Sequence, residues 1–153
     1  MIVVAILGIL GAIVLPVYQG HASEAKVSAA KSDLHALRAQ IELYKIQHNG
    51  VLPGFVGGAA VAEGMLELQF TGTSEITGLP TASKTPAGTY LYGPYLLKIP
   101  ENPFNGKTGF IYSTDFATDV GVADIGWLYN RTTGQIALNY PGTDADGVAY
   151  IAY

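Results

Sequence analysis

The first eighteen residues, MIVVAILGILGAIVLPVY, carry no charged side chain, and the first in the chain is Glu24. As an α-helix they would span roughly 27 Å, just under the ~30 Å hydrocarbon core of a bilayer. A soluble amphipathic helix keeps one polar face. This run has none, so it has to be buried all round, in lipid or in the core of an assembly. A secretory signal peptide could use Gly20-His21-Ala22 as its cleavage site, but it calls for a basic segment ahead of the apolar one, and the helical pattern runs straight past that point. A plain single-pass anchor accounts for the length alone. Two features ask for more. Gly8 and Ala12 form an i, i+4 pair of small residues with Gly11 beside them, which lets neighbouring helices approach closely in an apolar medium. Pro16 removes a backbone donor, so Gly8 to Pro16 is where the helix would bend or lose hydrogen bonds.

From Glu24 the helix pattern continues but changes character. Val27, Ala30, Leu34, Leu37, Ile41 and Tyr44 recur at alternating intervals of three and four, one apolar stripe suited to packing on a sheet. Lys26, Lys31, Asp33, Arg38, Glu42 and Lys45 fall off that stripe, and His48-Asn49-Gly50 with Pro53 supplies a stop. The expected element is one helix of about fifty residues. It divides into an apolar part over 1–23, for a membrane or filament core, and an amphipathic part over 24–50.

Residues 51–107 are rich in Gly, Ala, Thr and Pro and read as a loop-rich αβ region, with a short helix at Val61–Gln69 and a turn-rich stretch over Thr71–Gly88. Residues 108–153 read as an antiparallel β-sheet region. Phe110–Ser113, Ile125–Asn130 and Ile136–Tyr140 are its strands, Val148–Tyr153 is a candidate fourth, and Trp127–Tyr140 is a hairpin turning at Thr132-Thr133-Gly134-Gln135. Helix first and sheet second is an α+β architecture.

Composition removes several functions. The net charge of −4 and pI of about 5.2 argue against a nucleic-acid partner, which needs a basic face. With no cysteine, a disulfide framework and thiolate chemistry are excluded. His21, His35 and His48 lie fourteen and thirteen apart, so no i, i+4 metal pair exists, and they read as solvated helix residues. No Gly-x-Ser-x-Gly, Walker loop or dinucleotide fingerprint occurs, so no catalytic residue and no enzyme activity is expected. The many tyrosines of the second half read as β-formers and packing residues, and Asn130-Arg131-Thr132 is a sequon.

MIVVAILGILGAIVLPVYQ resembles the interior of the N-terminal segment of the type IV pilins and type II secretion pseudopilins, with Gly8, Gly11 and Pro16 in the places of that pattern. A second, distant set resembles the C-terminal region of the major-pseudopilin-like subfamily. It comprises Gly93-Pro94-Tyr95-Leu96, Ile99-Pro100, Asn102-Pro103-Phe104-Asn105-Gly106, Gly126-Trp127-Leu128-Tyr129 and Thr133-Gly134. Members of that family carry a basic leader, a Gly-Phe cleavage junction and a glutamate that would fall two positions before Met1; those parts are expected upstream of the residues seen here.

The resemblance implies a pilin-like fold, with the long helix packed on a small antiparallel sheet. It also implies a structural subunit that waits in the inner membrane and then polymerises with identical subunits, served by a pilus or secretion assembly machinery. Gly8, Gly11, Ala12 and Pro16 would then pack in the filament core. An extracellular pilus is the leading expectation, the major pseudopilin of a type II secretion system, with its periplasmic pseudopilus, is the alternative, and a single-pass membrane-anchored domain is the reading from another class. No cofactor is expected from the residues themselves. Related pseudopilins hold a structural calcium in a C-terminal loop, which makes Asp119, Asp124, Asp144 and Asp146 weak calcium candidates, with a solvated acidic face as the other reading.

Overall fold

The computed structural model describes the backbone of residues 2–153 and the side chains of 2–4, 6–8 and 23–153. The chain opens on α1 (Ile2–Gln47) and then places β1 (Phe55–Val56), β2 (Ala59–Ala60), α2 (Glu63–Thr71), β3 (Thr73–Ser74), β4 (Pro80–Thr81), β5 (Phe110–Tyr112), α3 (Phe116–Asp119), β6 (Trp127–Tyr129) and β7 (Ile136–Leu138). A 3₁₀ turn at Tyr150–Ala152 follows. The fold is α+β and pilin-like: one long helix lies against a small three-stranded sheet, ordered β5-β6-β7. Two-stranded pairs β1-β2 and β3-β4 decorate the loop-rich part.

Ala30, Leu34, Leu37, Ile41 and Tyr44 of α1 are all buried, and Val27 packs against the same cluster. They meet Trp127, Tyr129, Ile136 and Leu138 of the sheet and Leu66 and Phe70 of α2. Each fully buried large aliphatic contributes about 1.5–3 kcal/mol, so this one stripe is the main bond between helix and domain. Asn49 (φ 56°) and Gly50 (φ 85°) end the helix in the left-handed region, and the Gly50 N–H returns to the Lys45 carbonyl at 2.8 Å.

Within the sheet, β6 and β7 form the antiparallel hairpin, with Trp127 opposite Leu138 and Tyr129 opposite Ile136. One pairing departs from the all-antiparallel expectation: β5 joins β6 in parallel, Phe110 opposite Trp127. The segment containing α3 is long enough to carry the chain back to the same end, as a parallel crossover requires. Val148–Tyr153 is a turn rather than a fourth strand. A strand would send alternate side chains to opposite faces, whereas a 3₁₀ turn places i and i+3 together. Tyr150 and Tyr153 thereby meet edge-on at 5.7 Å, and Tyr150 also packs on Phe104 at 4.3 Å. The helix expected at Val61–Gln69 is found two residues later, and Thr71–Gly88 contains the β3-β4 pair.

His35 is exposed, His21 lies outside the described side chains, and His48 is not solvated but buried. Its ring stacks on Tyr44 at 3.7 Å, Nδ1 donates to the Tyr44 carbonyl at 2.8 Å, and Nε2 accepts from the Ser74 hydroxyl at 3.0 Å. That carbonyl can only accept, so the neutral Nδ1–H tautomer is the one that fits. Burial pushes the imidazole pKa below its ordinary 6.5, partly offset by the bond to the Tyr44 carbonyl. The unfolded chain then binds the proton first as pH falls, so the stability linked to His48 is complete above about pH 6.5 and declines below it. Thermal melts from pH 7.5 to 5 should show this decline, and His48→Gln should flatten it; an unchanged slope in the variant would place the titration elsewhere.

Candidate functional site: the outward face of the long helix

Opposite the core stripe, α1 carries a second stripe that sequence reading passed over. Ala25, Ala29, Ser32, Ala36, Ala39, Leu43 and Ile46 follow one another at intervals of four and three, and all seven are exposed. On a helix of 3.6 residues per turn this places them about 180° from Leu34, Leu37 and Ile41. Small uncharged residues occupy most of the stripe and two large aliphatics end it, with Ile46 75% exposed. Charged side chains flank the stripe without entering it. Its signal was present in the sequence as a second three-four periodicity, masked because alanine and serine are poor markers of burial.

Toward the other end of the same helix, Ile2, Val3, Val4, Ile6 and Leu7 are all more than half exposed. A Cβ built on Gly8 would meet no atom within 4 Å, so that position is open to close approach by another molecule. Gly11, Ala12 and Pro16 lie outside the described side chains, and so does most of the apolar run. Among the described residues no helix is long and apolar enough to cross a membrane.

One flank of the helix is tied to the end of the chain. Arg38 donates to the carbonyls of Ile136 (3.2 Å) and Tyr153 (2.6 Å), and the Lys31 ammonium sits 4.2 Å from the Tyr153 ring centre. Lys31 and Arg38 therefore help to fix α1 on its domain while leaving the outward face clear.

The second set of resembling residues builds the support behind the sheet. Asn102 is fully buried; its Nδ2 donates to the Gly126 carbonyl and its Oδ1 accepts from the Phe104 N–H, both at 2.9 Å. Asn105 donates to the Ile125 and Asn139 carbonyls, and Trp127 Nε1 donates to the Pro100 carbonyl at 2.9 Å. A Cβ on Gly126 would collide with the Lys107 carbonyl, which explains glycine there. These residues are scaffold: they carry no open pocket chemistry.

The acidic candidates do not come together. Asp124 is paired with Lys107 at 2.7 Å, and Asp144 accepts from the Asp146 and Val148 N–H groups and from the Tyr153 hydroxyl. Those bonds, the Tyr153 one foremost, hold the Asp144 carboxyl below the ordinary carboxylate range. Asp119 ends α3 beside Arg131 and Asn130. Among the described residues no three His, Asp or Glu side chains converge. The tyrosines behave as packing residues: Tyr44, Tyr95 and Tyr129 are buried, and burial raises the phenol pKa of each.

Two curated proteins align with the chain. It is 44% identical over 48 residues to type II secretion system core protein G of Pseudomonas aeruginosa, covering 31% of this chain and 34% of that protein. It is 28% identical over 104 residues to the protein of the same name from Aeromonas hydrophila, covering 68% of this chain and 62% of that protein. The chain is thus similar in sequence to type II secretion system core protein G over part of its length. It spans about one third and somewhat under two thirds of the lengths of these relatives. No protein-family model and no solved structure matches this pilin-like chain significantly.

Neighbouring residues of α1 should therefore respond in opposite ways. Ala36→Glu and Ala39→Glu, on the outward face, should leave the melting temperature within about 1 °C of the parent, because surface changes of this kind cost little, yet abolish self-association in a sedimentation assay. Leu37→Ala, on the core stripe, should cost about 2–5 kcal/mol. Normal polymers from both glutamate variants would remove the outward face from the assembly surface.

Proposed function

We propose that this chain is a structural subunit of a type II secretion system, similar to its major pseudopilin, which polymerises with copies of itself through α1. The observation that carries this reading is one helix with two apolar faces. One is consumed by the subunit's own core, and the other is exposed at all seven of its residues, as are Ile2–Val4, Ile6 and Leu7 at the far end of the helix. A helix of that kind is satisfied equally by lipid and by sister helices, so transfer from membrane to polymer involves little net change in hydrophobic energy. Before assembly the subunit would wait in the inner membrane, and the polymer would stand in the periplasm.

The extracellular pilus expected from the sequence shares the polymer and differs in where it stands. Both aligned relatives bear a secretion-system name, which favours the pseudopilin over the pilus. Their names are those of a secretion-system component rather than an enzyme. The other partners follow from the same reading: identical subunits, and a secretion assembly machinery that moves them from membrane to polymer.

Deleting the gene should abolish export of the secreted proteins and leave any long surface fibres unchanged. Intact secretion together with the loss of long surface fibres would overturn the pseudopilin reading in favour of a pilus.

A further inference from the structure

We propose that the side-chain amide of Asn139 stands where a divalent cation would stand in the acidic 115–126 loop, with the Lys107 ammonium neutralising Asp124, so that the domain folds without calcium. Hard cations are held by converging oxygens, commonly carboxylates together with backbone carbonyls. The carbonyls of Ala123 and Ile125 converge in this loop, but on a nitrogen: Asn139 Nδ2 donates to them at 2.8 and 2.9 Å. Its Oδ1 accepts from the Gly121 N–H at 2.6 Å. Reversing the amide would set oxygen against two carbonyls and nitrogen against an N–H, so the network itself assigns this orientation. Asn139 is 2% exposed, which makes these three bonds the interior tie of the loop.

Other oxygens of the two acidic loops are engaged by protein donors as well. Asn105 Nδ2 donates to the Ile125 carbonyl at 3.1 Å, so both lone pairs of that oxygen are used. Lys107 Nζ lies 2.7 Å from Asp124 Oδ2 and supplies the positive charge that a metal would bring. The second acidic loop is closed the same way, by protein donors. Asp144 Oδ1 accepts from the Asp146 and Val148 N–H groups, and Oδ2 accepts from the Tyr153 hydroxyl at 2.6 Å. A carboxylate that already receives three donors is a poor metal ligand. None of this depends on polymerisation, so the proposal stands or falls apart from the secretion reading.

The test is a pair of thermal melts on the full chain in detergent. The parent protein should melt at the same temperature, within ~1 °C, in EDTA and in millimolar calcium, because a ligand that binds the folded state raises the melting point only where a site exists. Asn139→Ala should melt about 5–10 °C lower in EDTA, since it removes three hydrogen bonds at once, to the Ala123 and Ile125 carbonyls and from the Gly121 N–H. If Asn139→Ala yields no folded protein, Asn139→Asp supplies the second variant and should also melt below the parent in EDTA. A parent melting point that falls on chelation and returns with calcium would overturn the proposal. An alanine or aspartate variant as stable as the parent would overturn it equally.

Discussion

Everything in this subunit depends on the contact between one stripe of α1 and the sheet behind it. Leu34, Leu37, Ile41 and Tyr44 are the interior of a small domain whose strands are only three residues long, and without the helix β5, β6 and β7 would have one bare apolar face. The contact also decides which face of the helix remains outside. Because an α-helix separates faces by fixed angles, committing 34, 37 and 41 inward commits Ala36, Ala39 and Leu43 outward. Folding thus leaves that second stripe exposed.

A domain with such short strands and long connections needs other ties, and it has no cysteine to supply them. Buried amides do this work. Asn102 and Asn139 hold the loops around the sheet, and Gln69, fully buried, accepts from Gly54 N–H and donates to the carbonyls of Phe55 and Gly78. Each such side chain bridges segments far apart in sequence and satisfies backbone groups that burial would otherwise leave unpaired. Amide networks of this kind fix geometry in both directions, donor and acceptor.

How much of this was legible in the sequence follows from the range of the forces involved. The long helix, its core stripe and the β6-β7 hairpin rest on local periodicity and turn chemistry, so Leu34, Leu37 and Gly134 announced them. The parallel joining of β5 to β6 is a long-range pairing with no local signature. The same holds for His48, which looked like a solvated residue at a helix end because nothing near it in sequence reveals the Ser74 hydroxyl and Tyr92 ring that enclose it. The outward stripe was written in alanines, whose burial or exposure cannot be told from their chemistry; only the position of the sheet separates it from the core face. Asn139 was invisible for a related reason: an asparagine in a strand-like run reads as polar surface until the carbonyls it bridges are placed.

The division of α1 into an inner and an outer face can be measured directly, because the chain lacks cysteine and any introduced thiol reports alone. Single cysteines at Ala36, on the outward stripe, and at Thr85, in an exposed loop away from it, should react with a maleimide at similar rates in the detergent-held monomer. On polymerisation the thiol of Ala36→Cys should become at least about tenfold slower, as a buried interface residue loses access to reagent, while that of Thr85→Cys keeps its rate. Equal reactivity of both thiols in the polymer would contradict assembly through the outward face of the helix.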